Sequence, residues 1–137
     1  MSVLWRFGFF IGTALILSLV GCGGQVSDPE VVLEERVMAR WQAFIERDFE
    51  AAWEYYSPGF RQTTQRDDFV REMSGRPVHW RSAEFQSKDC SAERCEVQVS
   101  AVWQAVTAPA GMNRMRLPRE FNERWILVDG NWWYADN

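Results

Sequence analysis

Apolar and polar positions along the chain fall into three regimes. Residues 7–20 form an uncharged, almost wholly apolar run behind a single arginine, Arg6. From Pro29 to about Gly75, apolar residues recur at helical spacing. From Val78 onward the period shortens to two, which marks the passage from helices to strands. In the helical part, Ser27-Asp28-Pro29-Glu30 supplies cap candidates and a proline suited to a first helical turn, and Leu33, Val37, Trp41, Phe44 and Ile45 then form one apolar stripe. Glu34, Glu35, Arg36, Arg40, Glu46 and Arg47 fall largely on the other side, which predicts an amphipathic helix facing a core. Asp48 is expected to cap a second helix through Phe49, Ala51, Ala52, Trp53 and Tyr56, ended by Ser57-Pro58-Gly59. A third short helix is predicted from about Arg66 to Met73.

In the strand part, Val97, Val99, Ala101, Trp103 and Ala105 alternate with Glu96, Gln98, Ser100 and Gln104, the signature of a half-buried antiparallel strand. The strand before it changes parity: Val78 and Trp80 lie on one phase, Ala83 and Phe85 on the other, so a β-bulge is predicted near Arg81-Ser82. Residues 108–117 contain Pro, Gly and Asn and read as a loop. Phe121–Val128 and Asn131–Tyr134 then form a hairpin around Asp129-Gly130, a favoured two-residue turn. Its register pairs Val128 with Asn131, Leu127 with Trp132 and Ile126 with Trp133, so both faces are apolar. Trp125, Leu127, Trp132 and Tyr134 line one face. Ile126, Val128 and Trp133 line the other, which needs cover from the chain itself or from a partner protein. Fold class follows from the order: α+β, with N-terminal helices packed on a curved antiparallel sheet.

Composition narrows the class. Of 137 residues, 47% are hydrophobic and eight are tryptophan, which excludes a disordered chain. The balance is 15 basic against 19 acidic residues, with arginines interspersed among acids, so no basic stripe for nucleic acid is present. One domain fits the residues that follow the apolar run.

Arg6 and the apolar run match the n-region and h-region of a secretory signal. An uncleaved transmembrane helix is the competing reading, but Gly21, Gly23 and Gly24 break the run near where a span should end. Leu19-Val20-Gly21-Cys22 resembles the lipobox of bacterial lipoproteins. That resemblance implies a signal peptide over residues 1–21, cleavage before Cys22, acylation of its thiol, and a tether over residues 22–29 ahead of a domain at 30–137. At about 0.8 kcal/mol per buried methylene, two or three acyl chains anchor a protein firmly where one does not. Gly23 in place of Asp after the cysteine implies, by the same resemblance, the outer membrane facing the periplasm. With Cys22 lipidated, Cys90 and Cys95 remain as a pair in the polar stretch Lys-Asp-Cys-Ser-Ala-Glu-Arg-Cys. In an oxidising compartment they are expected to staple a hairpin end. Two thiols and one distant His do not complete a zinc shell, so no metal and no cofactor is expected.

The segment "Trp-Gln-Ala-Phe-Ile-Glu-Arg-Asp-Phe-Glu-Ala-Ala-Trp-Glu-Tyr-Tyr-Ser-Pro" and the final "Arg-Trp-Ile-Leu-Val-Asp-Gly-Asn-Trp-Trp-Tyr" resemble the nuclear transport factor 2-like, or cystatin-like cone, superfamily. The resemblance implies helices closing a cone with a pocket inside, in enzymes and in non-enzymatic binders alike. Its enzymes use acid–base pairs in the cone. Here the only His is His79, the candidate base of a lyase or isomerase, with no Asp on matching strand positions. Trp41, Trp53, Trp103 and Trp125 are candidate cone-lining residues for an apolar ligand. The favoured expectation is a non-enzymatic envelope lipoprotein that binds a small apolar ligand in the cone or an envelope protein on Ile126, Val128 and Trp133. Cys22→Ala is expected to release the protein from membranes or leave an uncleaved precursor; unchanged mass and acyl labelling would sink the lipoprotein reading.

Overall fold

The computed structural model of the chain describes residues 28–136 except residue 108. The expected signal segment, Cys22 and the expected tether up to Ser27 lie outside the described residues. Four helices come first: α1 (Pro29–Glu46), α2 (Phe49–Trp53), α3 (Pro58–Thr63) and α4 (Arg66–Gly75). A meander follows, β1 (Val78–Ser91), β2 (Arg94–Ala105), β3 (Arg116–Val128) and β4 (Asn131–Ala135), paired antiparallel in that order. This is the α+β architecture that the order of periodicities predicts, with the helices on one face of the sheet.

Local chemistry accounts for the helix boundaries. Asp28 caps α1 through its side chain, which accepts from Glu30 N at 2.9 Å, and Pro29 occupies the first turn. Asp48 caps α2 in the same manner, accepting from Ala51 N at 3.0 Å. The expected end of the second helix is where the structure differs. Ser57-Pro58 does not stop that helix but starts another: Ser57 Oγ accepts from Phe60 N at 3.3 Å and Pro58 opens α3. Proline at a first helical position and proline after a helix end leave the same trace in a sequence. Between α2 and α3 the chain is briefly extended, and Tyr56 bridges Tyr134 in parallel. Ser57 N donates to Tyr134 O and Tyr134 N to Tyr55 O, both at 2.8 Å. The outer edge of β4 is thereby partly covered.

The predicted bulge is present: the β1–β2 register shifts between Trp80 and Ser82, and again between Phe85 and Ser87. Each extra residue restores the inward phase, so Trp80, Ala83, Phe85 and Cys90 pack on one core despite their changing parity. The β3–β4 hairpin has the predicted register, with Asp129 and Gly130 at φ 51° and 76° in its turn. β3 itself is longer than the periodicity indicates. Residues 116–120 pair with β2 although they include Pro118, because β4 runs beside Arg124–Val128 alone and leaves that part of β3 at an edge. A short 3₁₀ turn, Met112–Arg114, precedes it.

Two apolar clusters hold these layers together. Leu33, Val37 and Trp41 of α1 pack on Cys95, Val97, Val99 and Ala101 of β2 and on Trp125 and Trp132. Ala43, Phe44, Phe49, Ala52, Tyr56 and Phe69 join the helices to one another. Among the described residues both clusters lie within residues 33–134. Two long-range hydrogen bonds tie α1 to the last strand: Trp132 Nε1 donates to Pro29 O at 2.9 Å, and Arg36 Nε to Trp132 O at 2.7 Å.

Cys90 and Cys95 are directly opposed on β1 and β2 and are joined by a disulfide. A loop this short gives about 2 kcal/mol in the chain-entropy model. Thiol titration of the denatured, unreduced protein is expected to find no free thiol from either residue, and reduction to lower the unfolding free energy in urea by about 2 kcal/mol; two titratable thiols would refute the staple.

Candidate functional site: an aromatic cavity above a buried ion pair

The amphipathic stripe of α1 carries one residue that its chemistry assigns to the opposite face. Arg40 follows Leu33 by seven positions and Val37 by three, and precedes Phe44 by four, so it lies on the buried stripe and is only 5% exposed. Its partner is 83 positions away. Arg40 Nη1 donates to Glu123 Oε1 of β3 at 2.9 Å, and Glu123 is 3% exposed. The second carboxylate oxygen accepts from Trp125 Nε1 at 2.9 Å. Arg40 Nη2 donates to Tyr56 Oη at 3.2 Å.

Aromatic rings enclose the guanidinium. Its carbon lies 3.7 Å from the Tyr134 ring centroid, 4.9 Å from Phe44 and 5.1 Å from Tyr56. Ring faces carry negative potential, so each contact favours the cation. Burial alone would pull the Arg40 guanidinium down, yet Glu123 and the two tyrosines outweigh it and hold it raised. Both tyrosines respond to the same burial: the Tyr56 and Tyr134 hydroxyls are pushed above the ordinary phenol range, although Arg40 opposes the shift. The whole group is thus one charged arginine, one carboxylate and two neutral phenols.

Above this floor a cavity of about 480 Å³ opens between helices and sheet. Trp41, Phe44, Trp80, Trp103 and Phe121 form much of its wall, with Arg76, Arg119, Glu72 and Asp136 among its polar lining. The rings brace one another edge to face or tilted. Trp41 meets Trp80 at 5.2 Å and 89°, and Phe121 lies 5.1 Å from Trp41 and 5.4 Å from Trp80. A wall built from mutually packed rings holds its shape without a ligand.

Of the four tryptophans expected to line the cone, Trp41 and Trp103 do so. Trp53 does not: its Nε1 donates to Thr64 O at 3.3 Å, holding α2 to the end of α3. Trp125 is fully buried beneath the floor, where it orients Glu123. Trp80 was not among the expected lining residues, because the parity change at the bulge conceals which phase of β1 faces inward. His79 lies between Val78 and Trp80, both of which line the cavity, and on an alternating strand it is not part of that lining. Partial burial and the nearby Arg47 and Arg81 hold its pKa below the ordinary imidazole value.

The second apolar face receives cover from the helices. Trp133 sits between two guanidiniums, 5.1 Å from Arg36 and 4.7 Å from Arg61, and its Nε1 donates to Val128 O at 3.3 Å. β4 is an edge strand, so side chains from α1 and α3 reach round it. Ile126 and Val128 stay half-buried.

No protein-family model matches the chain, and no curated protein matches it by sequence. Solved structures do resemble it. A cystatin-like protein of unknown function from Nostoc punctiforme superposes with TM-score 0.54 at 9% identity, covering 77% of this chain and 84% of that one. A Campylobacter jejuni protein provisionally described as an NTF2-like transpeptidase gives TM-score 0.53 at 10% identity, covering 77% and 98%. A SEC-C motif protein from Rhodopseudomonas palustris gives 0.55 at 17% identity, covering 75% and 74%. At such identities the likeness establishes the fold: an NTF2-like, cystatin-like cone.

Removing one member of a buried pair strands the other charge at a cost of about 3–5 kcal/mol, whereas replacing both by apolar residues is often neutral. Glu123→Leu is therefore expected to destabilise by about that amount in urea unfolding, and Arg40→Met/Glu123→Leu by much less. Additive losses would show that the pair is not coupled.

Proposed function

We propose that this chain is a membrane-anchored envelope lipoprotein whose NTF2-like domain is a non-enzymatic binding module, taking a small apolar molecule in the cavity between helices and sheet. The observation that carries the binding reading is the cavity itself. Its volume of about 480 Å³ falls within the range of small-molecule sites, roughly 300–1,000 Å³, and its wall is mostly aromatic with a few convergent polar groups. Two buried donors on lining residues, Arg40 Nε and Trp41 Nε1, have no hydrogen-bond partner among the described residues.

Binding is favoured over acid–base chemistry by what the charged groups are already engaged in. A general base needs a free carboxylate or imidazole within reach of substrate. Glu123 has both oxygens committed to Arg40 and Trp125, Glu72 pairs with Arg76, Asp136 accepts from Tyr134 Oη, and His79 is not in the lining. The anchoring half of the proposal rests on the lipobox-like Leu19-Val20-Gly21-Cys22. A binder held at a membrane surface would meet envelope components. An envelope protein on the Ile126, Val128 and Trp133 face is the weaker reading, since Arg36 and Arg61 already stack on Trp133.

The neutral fluorophore N-phenyl-1-naphthylamine tests the cavity directly. Saturable 1:1 binding is expected, weakened about tenfold in Trp103→Ala, the loss of one stacking wall. Absence of saturable binding, or binding indifferent to Trp103, would overturn the ligand reading.

A further inference from the structure

The charge distribution around the cavity is uneven along β3. Leu117, Arg119, Phe121, Glu123 and Trp125 share one face of that strand, and burial deepens in that order: Leu117 and Arg119 are exposed, Phe121 is half-buried, and Glu123 and Trp125 are buried. At about 3.3 Å per residue, Arg119 stands about 13 Å from Glu123, at the mouth of a cavity whose floor Glu123 helps to form. Its guanidinium carbon lies 5.0 Å from the Phe121 ring centroid, so the charge is held over the aromatic wall.

Arg119 differs from the other cavity cations in having no carboxylate within ion-pair distance among the described residues. Arg40 is neutralised by Glu123 and Arg76 by Glu72. Asp136, the remaining acid of the lining, follows Ala135, which pairs with Arg124 at the floor end of β3, and it accepts from Tyr134 Oη at 3.5 Å. No acidic residue occurs between Glu96 and Glu120, while Arg114, Arg116 and Arg119 do. Met112, Met115 and Leu117 alternate with those arginines and are 57%, 51% and 39% exposed. Of these residues Arg119 is the one that lines the cavity, where it sets a positive charge in a chain whose net charge is −4.

We infer that the cavity takes an amphiphile with a single anionic head: the apolar body lies among Trp41, Trp80, Trp103 and Phe121, and the head is bound by Arg119 at the mouth. A carboxylate head cannot go in first, because it would meet Glu123 at the floor, where the one nearby cation is already paired. At the mouth it meets a cation with no competing partner, and the guanidinium fork matches a carboxylate or phosphate. This inference rests on the proposed binding role of the cavity and adds the class of ligand.

The test compares decanoate, 1-decanol and decylammonium, each kept monomeric, by calorimetry on the full chain. The wild type is expected to bind decanoate about tenfold more tightly than decanol, and decylammonium more weakly than either. Arg119→Gln is expected to abolish the preference for decanoate over decanol, read as the ratio of the two affinities; circular dichroism confirms that the exposed substitution keeps the fold. Equal affinity of the wild type for decanoate and decanol, or a preference that survives Arg119→Gln, overturns the anionic-head inference and leaves the binding role standing. Binding of none of the three overturns both.

Discussion

The buried pair between Arg40 and Glu123 is the constraint on which the rest of this domain is arranged. Neither charge tolerates burial alone, so α1 and β3 must approach in the one alignment that brings both groups together. Three neighbouring side chains complete that pair. Trp125 donates to the free carboxylate oxygen, Tyr56 accepts from the guanidinium, and Tyr134 supplies the ring face against which the cation lies. The parallel bridge between Tyr56 and Tyr134 belongs to the same set, because it holds both phenols at the positions the arginine requires. A single helix–strand ion pair thus links the helical layer, the central strand and the sheet edge.

The cavity is a consequence of this arrangement and of the two bulges in β1. Polar and cationic groups at the floor keep the helices from collapsing onto the sheet, and aromatic rings packed edge to face prop the walls apart. Bulges increase local twist and bend the strand, which curves the sheet around the space. Trp80 sits at the first bulge and faces inward because of it. Stability and concavity therefore share their residues, and a ligand would complete a surface that the fold leaves unfilled.

The domain also separates its charges in space. The Arg40–Glu123 pair lies at depth, while Arg119, with no carboxylate at ion-pair distance among the described residues, lies exposed over the Phe121 ring. On a protein of net negative charge this local excess favours anions. It sets the polarity of the opening without costing the core anything.

Much of the architecture was legible in the amino-acid order alone, because it depends on local rules. Helical and alternating periodicities separated the two layers, Asp28 and Asp48 marked helix starts, the parity change located a bulge, and Asp129-Gly130 specified both the final turn and its register. The opposed Cys90 and Cys95 belong to this group as well, since a short hairpin brings its own ends together. The signals that misled were those with two physical meanings. Ser57-Pro58 reads equally as a stop and as a start, and Arg40 reads as solvent-facing by charge although its spacing places it on the buried stripe. What tertiary structure alone decided was the site. Glu123 sits 83 positions beyond Arg40, within an alternation that gives no sign of burial, and only the approach of α1 to β3 makes it the arginine's partner. The inward phase of Trp80, the removal of Trp53 and Trp125 from the cavity wall and the lack of a carboxylate beside Arg119 among the described residues were likewise settled by tertiary structure, because contacts between distant segments leave no period in a sequence.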